Sequence, residues 1–156
     1  LEVLPPDVNE SNYKFTVVGD RRIRFGLGAI RNVGRSAIDS LIAARANGPV
    51  TTLHDLAANV DLRLCNKRVF EALIHAGALD SLDGHRAQLA ASLDTVLADA
   101  QAAAAEKASG QVSLFGAVVD DTPAADMRRP LLSVPPYSES DRLTREKEIL
   151  GFYISG

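Results

Sequence analysis

Tryptophan is missing from this 156-residue sequence, cysteine and methionine occur once each, and aromatic residues make up only 5%. The single Cys65 cannot close an internal disulfide, which fits a reducing compartment and gives no hint of redox chemistry. No stretch approaches the roughly 18 consecutive apolar residues of a spanning helix. Mean hydropathy is near zero, and no basic-then-apolar leader stands at Leu1. These absences exclude a membrane protein and an uncleaved secretory precursor, so a soluble, cytoplasmic protein is expected. His54, His75 and His85 lack the close pairing with Cys65 that a zinc site uses, Asp120-Asp121 stands isolated in a loop, and no Ser, His and Asp set has a hydrolase spacing. Nothing here argues for a metal centre or a catalytic site. What is present, 46% hydrophobic residues, suffices for one cored domain with or without an appendage. The start at Leu1 and the stop inside the apolar phrase Gly151-Phe-Tyr-Ile-Ser-Gly read as a piece cut from a longer protein.

The net charge of −3 conceals an asymmetry, because residues 1–78 carry ten Lys and Arg against eight carboxylates while residues 79–156 carry seven against twelve. Arg21, Arg22, Arg24, Arg31 and Arg35 follow one another without an intervening Asp or Glu. Such a field attracts polyanions; its bland alternative is a solvated arginine face.

Tyr13 to Val18 and Arg22 to Phe25, split by Gly19-Asp20, predict a small β-hairpin. Helical patterns follow: Ser36 to Ala46, stopped by Asn47-Gly48-Pro49; Leu53 to Ala58, capped by Thr52; and Lys67 to Ala76, capped by Asn66 and ended by Gly77. A long helix from His85 to about Ala108 has an alanine-rich second half that projects from the body. Ser109 to Tyr137, rich in Gly and Pro, reads as a loop, and Ser140 is expected to cap a last helix, Asp141 to Leu150, closed by Gly151.

The phrase Phe25-Gly-Leu-Gly-Ala-Ile-Arg-Asn-Val-Gly-Arg-Ser invites phosphate-loop readings, and its spacing fails two of them. A dinucleotide fingerprint needs glycine where Arg31 stands, and a P-loop needs four residues between its glycines, followed by Gly-Lys-Ser/Thr. A helix from Leu27 to Arg31, a turn at Asn32-Val33-Gly34 and a second helix from Arg35 or Ser36 fits. The first N–H groups of that second helix lack intrahelical partners and carry partial positive charge, so Gly34 in a conformation closed to other residues would bring them to a phosphate. Gly28, Arg31, Asn32, Val33, Gly34, Arg35 and Ser36 are therefore the candidate DNA-binding residues, gripping backbone without regard to base sequence. The alternative is a glycine turn that serves packing alone. A weaker copy, Asn66 to Leu82 around Ala76-Gly77-Ala78, reads mainly as its packing partner.

Gln111-Val112-Ser113-Leu114-Phe115 sets two large apolar side chains in a Gly-bounded loop, the pattern of a short peptide that enters a hydrophobic pocket on a partner. The competing reading folds Leu114-Phe115 back onto the body.

Leu4-Pro-Pro-Asp-Val-Asn, Phe25-Gly-Leu-Gly-Ala-Ile-Arg-Asn-Val-Gly, Asn66-Lys-Arg-Val-Phe-Glu-Ala-Leu-Ile-His-Ala-Gly-Ala-Leu-Asp and Arg145-Glu-Lys-Glu-Ile-Leu-Gly-Phe-Tyr-Ile-Ser-Gly together resemble the alpha (polymerase) subunit family of bacterial DNA polymerase III. The resemblance implies a mainly α fold with a small β-hairpin: the end of the fingers at 1–25, a tandem helix-hairpin-helix module at 26–108, a clamp-binding loop at 109–137 and a terminal helix at 138–156. It implies that Gln111, Val112, Ser113, Leu114 and Phe115 are the sliding-clamp (beta subunit) motif, with Val112 a mild departure from the usual Leu. The implied partners are duplex DNA, the clamp and other replicase subunits. The implied catalytic carboxylates, with their magnesium, lie in a palm domain upstream, which leaves this segment without a cofactor of its own.

Overall fold

The computed structural model describes residues 2–109 and 130–151. In chain order these form β1 (Glu2–Leu4), β2 (Thr16–Gly19), β3 (Arg22–Arg24), a 3-10 turn (Leu27–Ala29), α1 (Arg35–Ala44), α2 (Leu53–Asn59), α3 (Lys67–Ala76), α4 (Arg86–Ser109) and α5 (Glu139–Leu150). The fold is mainly helical with a small β part, as expected.

The expected hairpin is present as β2 and β3, antiparallel with a bulge between Val17 and Gly19. It supplies two strands of a three-stranded sheet, because β1 joins β3 in parallel, with Val3 opposite Ile23. Three residues ahead of Pro5-Pro6 have no strand signature of their own; only the pairing makes them one. The segment after it is sewn to distant parts of the chain. Asn9 exchanges two hydrogen bonds with the Val50 backbone, and the Val8 amide donates to Ala78 O at 2.8 Å. Arg45 donates to Val8 O, Ser11 O and Asn12 Oδ1.

α3 packs against α4 and α5. Its Phe70, Leu73 and Ile74 are fully buried, among Leu53 and Leu56 of α2, Leu89 and Leu93 of α4, and Ile38 and Leu41 of α1. Asn66 caps it, its Oδ1 accepting from the Val69 amide, and Gly77 ends it at φ +86. A side chain at Gly77 would be strained there and would also meet Arg86 Nη2 at 2.5 Å. The first half of α4 lies on this core, while residues 101–106 are exposed on every side, as the alanine-rich composition predicts.

α5 begins earlier than expected. Ser138, not Ser140, is its cap, accepting from the Asp141 amide, so Ser140 falls inside the first turn. Residues 130–137 have no regular structure, yet they are fastened along the start of α4: the Leu132 amide donates to Ser92 Oγ at 2.8 Å and His85 Nε2 meets Val134 O at 3.1 Å. His85 Nδ1 accepts the Gln88 amide while Gln88 Oε1 accepts the His85 amide, a reciprocal cap. That leaves Nε2 as the ring donor to Val134.

His75, near the end of α3, is half-buried, and its buried Nδ1 has no hydrogen-bond partner among the described residues. Burial, followed by the Arg145 and Arg86 charges, pulls its pKa down to about 4. An unfolded chain protonates it near pH 6.5, so the unfolded state binds more protons between about 6.5 and 4 and stability falls as pH is lowered through that window. We expect that loss to be on the order of 2 kcal/mol and to disappear in His75→Gln, as read from urea unfolding at pH 7 and pH 5. Equal pH slopes in the two proteins would refute it.

Candidate nucleic-acid interface

The first hairpin departs from its sequence reading in ways that sharpen it. The expected helix from Leu27 to Arg31 is a single 3-10 turn, Leu27–Ala29, because Ile30 is already extended. The left-handed residue of the turn is Asn32, at φ +69, a residue type that tolerates that conformation. Gly34 is extended at φ −82, and a Cβ added there would meet nothing within 4 Å. Its value lies in the open space it leaves in front of α1, not in a special backbone angle.

Ile30, Val33, Ala37 and Ile38 pin the hairpin into the core, so the Val33 side chain points inward while its backbone remains in the turn. Arg31, Asn32, Gly34, Arg35 and Ser36 are exposed on the opposite side, and Gly28 is half-buried beneath Tyr13. The first bond of the helical ladder runs from the Ile38 amide to Gly34 O at 3.0 Å, leaving the amides of Arg35, Ser36 and Ala37 ahead of it. Among the described residues no side chain caps α1, and no acidic residue stands in its first turn. By contrast, Thr52, Asn66 and Ser138 cap α2, α3 and α5. The N-terminus of α1 thus keeps its first donors and its partial positive charge without a side-chain cap.

The run of arginines divides. Arg24 turns inward, donating to Pro5 O at 2.9 Å, whereas Arg21, Arg22, Arg31 and Arg35 are exposed. Arg35 lies 4.4 Å above the centroid of the Tyr13 ring and 3.8 Å from Asp39, both partners of that ion pair being about two-thirds exposed and hence weakly coupled. The Arg31 amide donates to Ile149 O, so the turn rests against the end of α5. Sequence reasoning took Tyr13 for a strand residue and passed over Arg45; nothing in the local pattern announces contacts made across 15 or more residues.

The second hairpin is built differently. The helix that follows it, α4, has its start capped by His85 and Gln88 and overlain by residues 130–137, and Asp80 receives Arg86 through two bonds of 2.9 and 2.8 Å. Arg86 also reaches Glu146 of α5 at 3.3 Å. Burial opposes the Arg86 charge, and Asp80 with Glu146 more than offsets it, so its pKa is raised. This is the architecture of a packing partner. Cys65 is buried and its thiol is pushed up to about 11, which leaves it protonated. Among the described residues no group of three His, Cys, Asp or Glu side chains could hold a metal ion, and no helix is long and apolar enough to cross a membrane. Gln111, Val112, Ser113, Leu114 and Phe115 lie outside the described residues.

A family model described as a helix-hairpin-helix motif matches residues 1–89. The chain is 42% identical over its whole length to the DNA polymerase III subunit alpha of Neisseria meningitidis serogroup B. It is 40% identical over 99% of its length to that of Haemophilus influenzae, and 41% identical over its whole length to that of Vibrio cholerae. It spans 13% of the length of each of these relatives.

Proposed function

The chain belongs to the helix-hairpin-helix family in the form carried by DNA polymerase III alpha subunits, and from that premise we propose that it is a duplex-DNA-binding and clamp-tethering segment of a cytoplasmic bacterial replicative polymerase. The observation that carries the DNA reading is the uncapped, exposed N-terminus of α1, flanked by Arg31 and Arg35 on a turn held rigid by the core. A backbone phosphate seated there accepts from the free amides of Arg35 and Ser36, while both guanidinium groups neutralise it. Such contacts read no bases, as suits an enzyme that must travel along any sequence.

The clamp reading rests on the pentapeptide Gln111 to Phe115: Gln111 hydrogen-bonds at the mouth of a pocket on the clamp, Leu114 and Phe115 fill it, and Val112 and Ser113 link the two ends. Binding the clamp and the duplex it encircles raises the effective concentration of the polymerase at the primer end, and with it processivity. Nucleotidyl transfer, the catalytic carboxylates and their magnesium belong to parts of the polymerase outside these residues, as do the sites for other replicase subunits. The alternative is a non-catalytic helical scaffold domain whose glycines and arginines serve packing and solubility, and it has its support at Arg24 and Arg45, whose guanidinium groups hold backbone carbonyls rather than facing solvent.

Fluorescence anisotropy on a labelled duplex tests the DNA reading. Arg31→Ala with Arg35→Ala is expected to weaken binding on the order of tenfold, equally on unrelated sequences, and to flatten the salt dependence by about two units of slope. Affinity and slope unmoved by both substitutions would return the hairpin to the scaffold reading.

A further inference from the structure

We propose that Tyr13 is a positioning residue for the phosphate grip: its ring, seated against Gly28, holds the guanidinium of Arg35 in place at the N-terminus of α1. This rests on the duplex reading above and concerns what sets the geometry of that site. An arginine in the exposed first turn of a helix is otherwise free to sample many rotamers, and ordering it costs binding free energy. Here the guanidinium carbon lies 4.4 Å from the Tyr13 ring centroid, a cation–π distance. Stacking uses the face of the guanidinium and leaves the N–H groups at its edges for an anion.

The ring is itself fixed. The Asn12 and Tyr13 carbonyls accept from the Leu27 and Gly28 amides at 2.8 and 2.9 Å, tying the tyrosine backbone to the 3-10 turn. Arg45 holds the side chain of Asn12 at 2.9 Å. A Cβ at Gly28 would lie 2.8 Å from both Tyr13 Cε2 and Tyr13 O, so only glycine leaves the notch the ring occupies. Tyr13 is thus a wedge between the 3-10 turn and α1. The counter-pull among the described residues is Asp39, 3.8 Å from Arg35 Nε in solvent, which is weak.

The test combines a structural and a binding readout on the whole 156-residue chain, with a DNA duplex as the probe. In the wild-type NMR spectrum the Arg35 side-chain resonances should show a ring-current upfield shift that persists in Tyr13→Phe and vanishes in Tyr13→Leu. Duplex affinity should fall about threefold in Tyr13→Leu, stay unchanged in Tyr13→Phe, and show no further loss when Tyr13→Leu is added to Arg35→Ala. Absence of the wild-type ring-current shift overturns the proposal, and needs no variant to fold. A Tyr13→Leu loss of the same size with and without Arg35 also overturns it. A loss in Arg35→Ala with none in Tyr13→Leu overturns this inference alone. No loss in Arg35→Ala itself overturns the use of Arg35 on duplex DNA, and this inference with it.

Discussion

Truncating Leu114 and Phe115 to alanine is expected to weaken binding of this chain to a bacterial sliding clamp by on the order of a hundredfold or more. Seating two large apolar side chains in a pocket removes most of their surface from water, worth about 3 to 5 kcal/mol together, and every 1.4 kcal/mol is about tenfold in affinity. Two neighbouring anchors supply most of the affinity of such a short peptide, so the loss should be concentrated in them, with Gln111→Ala costing far less. Isothermal calorimetry against the purified clamp reads this directly, with thermal unfolding of the variant as the control. Wild-type binding with a folded, non-binding variant supports the tether. Equal binding by both, or a variant that melts early, would mean that Leu114 and Phe115 serve the body of the protein.

The second large effect concerns stability. Arg86→Met should destabilise the fold by about 3 to 5 kcal/mol, because it removes a cation that faces Glu146, a carboxylate with no solvent exposure. The side chain of Arg86 ties the turn after α3, through Asp80, to α5, through Glu146, and it also donates to His75 O. Its loss should therefore release α5 as well as lower the global midpoint. Adding Glu146→Leu to Arg86→Met should recover most of the loss, since a buried pair replaced as a pair often costs little. A urea unfolding free energy for Arg86→Met within about 0.5 kcal/mol of wild type would show that water or another group solvates Glu146.

What was legible in the sequence, and what was not, follows the range of the forces involved. The caps at Thr52 and Asn66 and the stop at Gly77 are contacts within one helical turn, so local residue types announce them. Ser138 against Ser140 is a choice between two equally good local caps, decided where residues 130–137 are fastened to α4. β1 exists only through β3, some 20 residues away, and no propensity of Glu2-Val3-Leu4 reveals it. At the candidate interface the glycine spacing and exposed arginines were readable, but the assignment of roles was not. Asn32 takes the left-handed angle expected of Gly34, Arg24 faces inward, and Gly28 makes room for a tyrosine 15 residues earlier.

The stitching of residues 7–12 to Val50, Ala78 and Arg45 bears on the order in which the molecule assembles. The helices close through bonds four residues apart, whereas Asn9 to Val50 spans 41 residues and Val8 to Ala78 reaches farther still. Long closures forfeit more chain entropy before any contact rewards them, which favours late formation. Tyr13 follows directly on those stitches, so the surface that orients Arg35 matures only once the two ends of a long loop have met. During synthesis residues 7–12 emerge ahead of Ala78 and must wait for the hairpin turn there before they can be fixed.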